Sequence, residues 1–211
     1  MDKVKFAKKE DFSFEDLRDL VAYLRSPEGC PWDREQSHKS IRNHFVEEAY
    51  EVCEGIDKDD ADLLKEELGD MLFQVLFHTN LAEEDGKFTM DQVLSGICKK
   101  MIFRHPFLFD PDSKVPEDQI QQWETLKQKE KGESTILDSL KRISTSLPAL
   151  KRAEKFSKKG AKSRHFSAFS PLEKQGKKLY KIAKKCQKSG LDPEEALNAY
   201  LTRILEDMHK S

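Results

Sequence analysis

Residues 37–83 read as two helical segments joined by a short link, and each carries an acid-x-x-acid pair at the edge of its apolar stripe. The pairs are Glu48/Glu51, within Phe45-Val46-Glu47-Glu48-Ala49-Tyr50-Glu51, and Glu67/Asp70, within Glu67-Leu68-Gly69-Asp70. Side chains three apart on a helix share a face. At about 100° per residue, Glu48 sits about 40° from Val52 and about 60° from Phe45, bordering a stripe formed with Ile41, Ala49 and Ile56. Glu67 projects between Leu63 and Met71, each about 40° away, with Asp70 about 60° round and Gln74 nearly in line. A link from Ile56 to about Asp60 makes the segments antiparallel neighbours, so the two pairs face each other. Burying an uncompensated carboxylate costs on the order of several kcal/mol, and four together also repel one another. A divalent cation is the simplest compensation. Hard oxygen ligands favour Mg²⁺ or Mn²⁺ over zinc or copper, and the lack of a Glu-x-x-His motif in these segments counts against a di-iron bundle. The competing reading is a solvated acidic face, which a highly charged chain produces by chance.

The rest of the 211-residue chain also reads as helical. Leu, Lys, Glu and Ala dominate, β-branched runs are scarce, and no stretch alternates with a period of two. Helices are expected near 13–25, 37–56, 60–83, 89–103, 117–131, 136–159, 171–188 and 193–209, punctuated by Gly- and Pro-containing turns. Ser13 with Asp16, Thr89, and Asp192 ahead of Pro193 are candidate caps. Thirteen phenylalanines argue against wholesale disorder despite 36% charged residues.

Met71 to Phe77, interrupted by Gln74, is the longest apolar run and is far short of the roughly 20 residues that cross a bilayer. Met1 to Phe14 lacks the apolar core of a secretory signal, so the expected location is cytoplasmic. Cys30, Cys53, Cys98 and Cys186 form no Cys-x-x-Cys pair and are expected to be reduced. The formal net charge of −2 hides a polarity: residues 1–132 hold 19 basic and 30 acidic side chains, and residues 133–211 hold 18 and 9. The basic segment could contact nucleic acid, or pair with an acidic face of the same chain or of a second subunit. Aromatics in its most basic stretch, Lys151 to Lys188, are few, limited to Phe156, Phe166, Phe169 and Tyr180, which makes nucleic acid an unfavoured main partner.

Downstream of the carboxylates stand cations at helical spacing. Lys100 and Arg104 are four apart, followed by His105-Pro106-Phe107, and Trp123 and Lys127 are four apart on the next segment. Each spacing puts two groups on one face, suited to a polyphosphate tail, with the indole able to stack a base. Taken singly they also read as solvated lysines, a helix-end arginine and a core tryptophan. In the loop Gly29-Cys30-Pro31-Trp32-Asp33-Arg34-Glu35-Gln36-Ser37-His38, Trp32 offers a stacking plane, and Asp33, Gln36 and His38 offer groups for a base edge; a packed turn fits equally well.

Gly29-Cys30-Pro31-Trp32-Asp33, Glu47-Glu48-x-x-Glu51, Glu67-Leu68-Gly69-Asp70, Arg104-His105-Pro106 and Trp123-x-x-x-Lys127, in that order, resemble the MazG family of nucleoside triphosphate pyrophosphohydrolases, most densely over residues 13–131. The resemblance implies an all-α, four-helix-bundle-type fold with additional C-terminal helices, a homodimer, Mg²⁺ dependence, and hydrolysis of NTP or dNTP to the monophosphate and pyrophosphate. It carries metal ligation to Glu48, Glu51, Glu67 and Asp70, and nucleotide contact to Lys100, Arg104, Trp123 and Lys127. Glu47 becomes a candidate for orienting water. Residues 1–132 would form the catalytic domain. Residues 133–211 would form a degenerate second copy: Ser146-Leu147-Pro148-Ala149-Leu150-x-Arg152-Ala153-x-Lys155 resembles the opening of such a copy, but no acid-x-x-acid pairs follow.

Overall fold

The computed structural model describes residues 6–160 and 170–209, with side chains through Arg203; Phe166 and Phe169 lie outside the described residues. Among the described residues every regular element is a helix. In chain order they are α1 (Phe14–Leu24), α2 (Pro31–Glu35), α3 (Arg42–Asp57), α4 (Ala61–Glu84), α5 (Met90–Arg104), α6 (Pro106–Phe109), α7 (Gln119–Glu130), α8 (Ile136–Lys141), α9 (Ala149–Lys158), α10 (Pro171–Lys188) and α11 (Pro193–His209). Packing divides them into two compact units, residues 1–103 and 104–211. This is a division by contact, distinct from the one at 132/133 drawn from charge and resemblance.

The first unit is built on α4, against which α3 packs most closely and α1 also packs. Its core is Val21 from α1, Ile41 at the head of α3, Leu76, Phe77 and Leu81 of α4 and Met90 opening α5, with Phe14, Leu17, Phe73 and Val75 alongside. Three local devices fix α3 on α4. Asp59 adopts a left-handed conformation (φ 53°), which aspartate tolerates better than most residues. Asp60 then caps α4, its carboxylate accepting from the backbone of Asp62 and Leu63. Gly55, buried in the last turns of α3, lets the two backbones meet: a Cβ there would lie 2.9 Å from Leu64 Cα and 2.9 Å from its nitrogen.

The segment leading into α3 is also fixed. A Cβ on Gly29 would lie 2.1 Å from the Tyr23 carbonyl oxygen, so only glycine fits where the chain doubles back on α1. Pro31 then opens the one-turn α2 where the sequence reads as a loop. Arg25 holds this turn down: its guanidinium forks onto Glu84 (2.9 and 2.6 Å), donates to the Asp33 and Gln36 carbonyls, and lies over the Phe77 ring. Helix α3 starts at Arg42 rather than near 37, because Ser37 and Ser40 bond each other's backbone in a turn that competes with helix.

In the second unit α9, α10 and α11 pack on one another. Glu154, its side chain 5% exposed, is ion-paired with both Lys151 and Lys158, and Lys151 also reaches Asp192. The continuous helix expected over 136–159 is broken into α8 and α9: Pro148 caps α9, and the residue before a proline is driven out of helical conformation.

Gly55→Ala should lower unfolding free energy by about 1–3 kcal/mol from forced separation of α3 and α4, less about 1 kcal/mol recovered in helix propensity. Urea denaturation followed by circular dichroism measures it; a stabilised variant would contradict the close approach.

Candidate metal centre

Helices α3 and α4 bring three of the four sequence-predicted ligands to one point. One carboxylate oxygen from each of Glu48, Glu67 and Asp70 lies within 4.8 Å of the others. Glu48 and Glu67 are half-buried and Asp70 is exposed, so the cluster opens outward on the Asp70 side. The half-burial of Glu67 follows from Leu63 and Met71, which are themselves half-buried beside it. Glu51 is exposed and stands outside the closest three, but its charge acts on both Glu48 and Glu67. Ile56 is 59% exposed, so the apolar stripe of α3 gives out beyond Val52.

The electrostatics match the crowding. Burial, followed by the charges of Asp70 and Glu51, pushes the Glu48 carboxyl above its ordinary value. Burial, then the charges of Glu51, Asp70, Glu66 and Glu48, does the same to Glu67. Among the described residues no lysine, arginine or histidine lies within ion-pair distance of Glu48, Glu51, Glu67 or Asp70. Converging oxygens with no protein cation fit a hard divalent ion. Gln74, one turn beyond Asp70 and buried, points its amide nitrogen at Glu48 Oε1 across 3.5 Å. The sequence signal for it was its alignment with the Glu67/Asp70 face.

Further along the same face of α4, His78 meets His38 with 2.8 Å between their Nδ1 atoms and the rings stacked at 4°. Such a contact needs one Nδ1 to donate and the other to accept, so at least one ring is neutral. Burial first, then His38, pushes the His78 imidazolium below its ordinary value. His38 therefore serves the packing of the turn onto α4. Trp32 is 56% exposed, whereas Asp33 is buried.

Lys100 is half-buried on α5. Arg104, Trp123 and Lys127 belong to the second unit. Arg104 is buried, donates to Glu130 (Nε 2.8 Å) and lies over the Trp123 ring at 5.0 Å, where His105 also packs. Lys127 pairs with Glu124 at 3.1 Å.

The MazG nucleotide pyrophosphohydrolase domain model matches residues 36–109, the stretch that contains all four carboxylates. The chain belongs to the MazG family. It is 43% identical over 148 residues to the nucleoside triphosphate pyrophosphohydrolase/pyrophosphatase MazG of Thermotoga maritima, a match covering 70% of this chain and 56% of that protein. It is 33% identical over 190 residues to a 26.1 kDa protein of Streptomyces cacaoi, covering 87% of this chain and 77% of that one. The crystal structure of a mazG-related protein from Thermotoga maritima is 28% identical, covers 54% of this chain and 98% of its own, and superposes with a TM-score of 0.46. Curated relatives at 40% identity or more are longer proteins, of which this chain spans 30% to 56%.

Because Glu48 and Glu67 bind protons more tightly folded than unfolded, the metal-free protein should lose stability as pH rises through and beyond the ordinary carboxylate range. Mn²⁺ or Mg²⁺ should reverse that loss, raising the melting temperature at neutral pH by an amount equivalent to about 2.7 kcal/mol at a hundredfold excess over Kd, and progressively less as pH falls. Thermal shift should show no such gain in Asp70→Ala. A gain unchanged in that variant would place the cation elsewhere.

Proposed function

We propose that this chain is a divalent-cation-dependent nucleoside triphosphate pyrophosphohydrolase, converting NTP or dNTP and water to the monophosphate and pyrophosphate. The carrying observation is the group of three carboxylate oxygens within 4.8 Å, without a neutralising protein cation among the described residues, inside the segment that the family model matches. Glu48, Glu67 and Asp70, with Glu51 as the fourth, would hold Mg²⁺, with Mn²⁺ as a substitute. When bound, such an ion would supply charge neutralisation at phosphate oxygens and would make a water bound to it more acidic.

The remaining work falls to the chain's own groups. Glu47, exposed and next to Glu48, is assigned to orienting the attacking water and accepting its proton. Lys100, Arg104 and Lys127 are assigned to the charge that builds on the transferred and leaving phosphates. Arg104 and Lys127 are held by Glu130 and Glu124, so a phosphate tail would displace carboxylates and find its cations already oriented. Trp123 is assigned to the base, with the exposed Trp32 as a second stacking plane and Asp33 contributing through the turn that its carbonyl anchors to Arg25. Residues 133–211 are assigned no metal chemistry: the one three-ligand group found among the described residues lies in the first unit.

Pyrophosphate release from a panel of standard and oxidised triphosphates, with Mg²⁺, tests this reading. Glu67→Ala and Asp70→Ala should each lose on the order of a hundredfold or more while keeping their helix content. Near-wild-type release by both would refute the assignment, and nucleotide binding with no release in the wild type would mark a silent binder.

The reading includes a homodimer. Helix α5 leaves Val93, Leu94, Ile97, Ile102 and Phe103 between 36% and 48% exposed, and Leu68 and Leu72 of α4 are similarly bare. Gly69 and Gly96 sit mid-helix among them with open space where a Cβ would be. A mid-helix glycine costs about 1 kcal/mol against alanine, which a closely approaching second helix would offset. Light scattering should give twice the chain mass, and Ile97→Glu should halve it. A monomeric wild type would contradict the dimer.

A further inference from the structure

The second unit contains a cleft of about 1030 Å³ formed by α7, the segment through α8, and α9. Six cations line it: Lys127, Lys131, Arg142, Lys155, Lys158 and Lys159, against two acids, Glu124 and Glu133. Glu133 is set into the wall with its side chain 4% exposed; it accepts from the Ser139 hydroxyl and lies 3.7 Å from both Arg142 and Lys159. Arg142 also donates to the Lys131 carbonyl at 2.6 Å, which ties the strap between α7 and α8 in place. Lys127 is matched by Glu124 and Lys158 by Glu154. Lys131 and Lys155 have no acidic partner within ion-pair distance among the described residues. The half-buried Lys131 ammonium is pushed below its ordinary value, first by burial and then by Lys127, with Arg104 and Arg142 adding to the repulsion and Glu133 opposing it.

We propose that this cleft is a binding site for an inorganic polyphosphate, pyrophosphate or tripolyphosphate, that needs no metal ion. A concave site whose cations outnumber its own acids concentrates a compact anion of several charges. Its cations converge from three elements around a bounded volume, where a nucleic acid would call for an open stripe. No aromatic side chain lines it among the described residues, so it offers no plane for a base. Lysine ammonium groups serve such an anion as point charges and arginine as a planar fork. The inference rests on the cleft alone and stands whether or not the carboxylate centre hydrolyses nucleotides. If that centre does release pyrophosphate, the cleft, which shares Lys127 with the phosphate contacts assigned above, becomes a place where the product is held.

Calorimetric titration of the full chain with tripolyphosphate, in EDTA, tests the proposal without involving the carboxylate centre. Saturable binding near one equivalent is expected, weakened about tenfold or more in Lys131→Ala and in the surface variant Lys155→Glu, and weakened by added salt. ATP should bind no more tightly than tripolyphosphate. Absence of saturable binding in the wild type, or equal affinity in both variants, overturns the site. Much tighter ATP binding overturns the inorganic ligand in favour of a nucleotide. A twelve-nucleotide single strand that binds more tightly and displaces tripolyphosphate overturns it in favour of nucleic acid.

Discussion

Mutual repulsion among Glu48, Glu51, Glu67 and Asp70 is the constraint around which the first unit is built. Two like charges near a protein surface, where the effective dielectric is roughly 20, repel by about 4 kcal/mol at 4 Å. The fold holds three such groups within 4.8 Å of one another and adds a fourth whose charge reaches them. Burial first, and then these neighbouring charges, raise the Glu48 and Glu67 carboxyls above their ordinary values, so protons answer part of the cost. At neutral pH a divalent cation answers it better, and the same ion would meet a triphosphate at the open side of the cluster.

Such crowding survives only on a rigid frame. Gly55 brings the α3 backbone against α4, Asp60 fixes where α4 begins, and Arg25 fastens the α1 and α2 turn to the far end of α4. Helix α4, 24 residues long, thus serves as the common base for every packed element of the unit. The core beneath it is small, and large apolar side chains on α4 and α5 stay exposed. The dimer proposed above would complete a frame that a single chain leaves partly open.

The features legible in sequence were those written in local periodicity. Acids at three-residue spacing beside apolar neighbours share one side of a helix, which is why Glu48, Glu67 and Asp70 could be read from sequence as near one another. The Ser13/Asp16 capping box, the Thr89 cap and the Asp192 cap were legible for the same reason, since a cap bonds residues only two or three away. What escaped depends on contacts distant in sequence or on competition between local states. Nothing in the sequence around Gly55 marks it as the point where α3 meets Leu64. His38 read equally as a group for a base edge or as part of a packed turn, and its contact with His78 across the fold could not be read from local spacing. Ser37 and Ser40 carry apparent helix-compatible spacing but bond into a turn, and the chain leaves helix at Arg142 and re-enters it only after Pro148, where composition alone would run one helix through. Buried Arg104 shows the limit from the other side: local spacing could not foresee its ion pair with Glu130.

The two units also divide the chemistry. Acidic groups gather in the first around a site suited to a cation, and basic groups gather in the second around a cleft suited to an anion. The central claim, that the α3–α4 carboxylates exist to hold a divalent ion, meets its most direct test in anomalous diffraction from crystals grown with Mn²⁺. A manganese peak among Glu48, Glu67 and Asp70 is the predicted result. A well-ordered site without that peak, its carboxylates turned to solvent, would contradict the account.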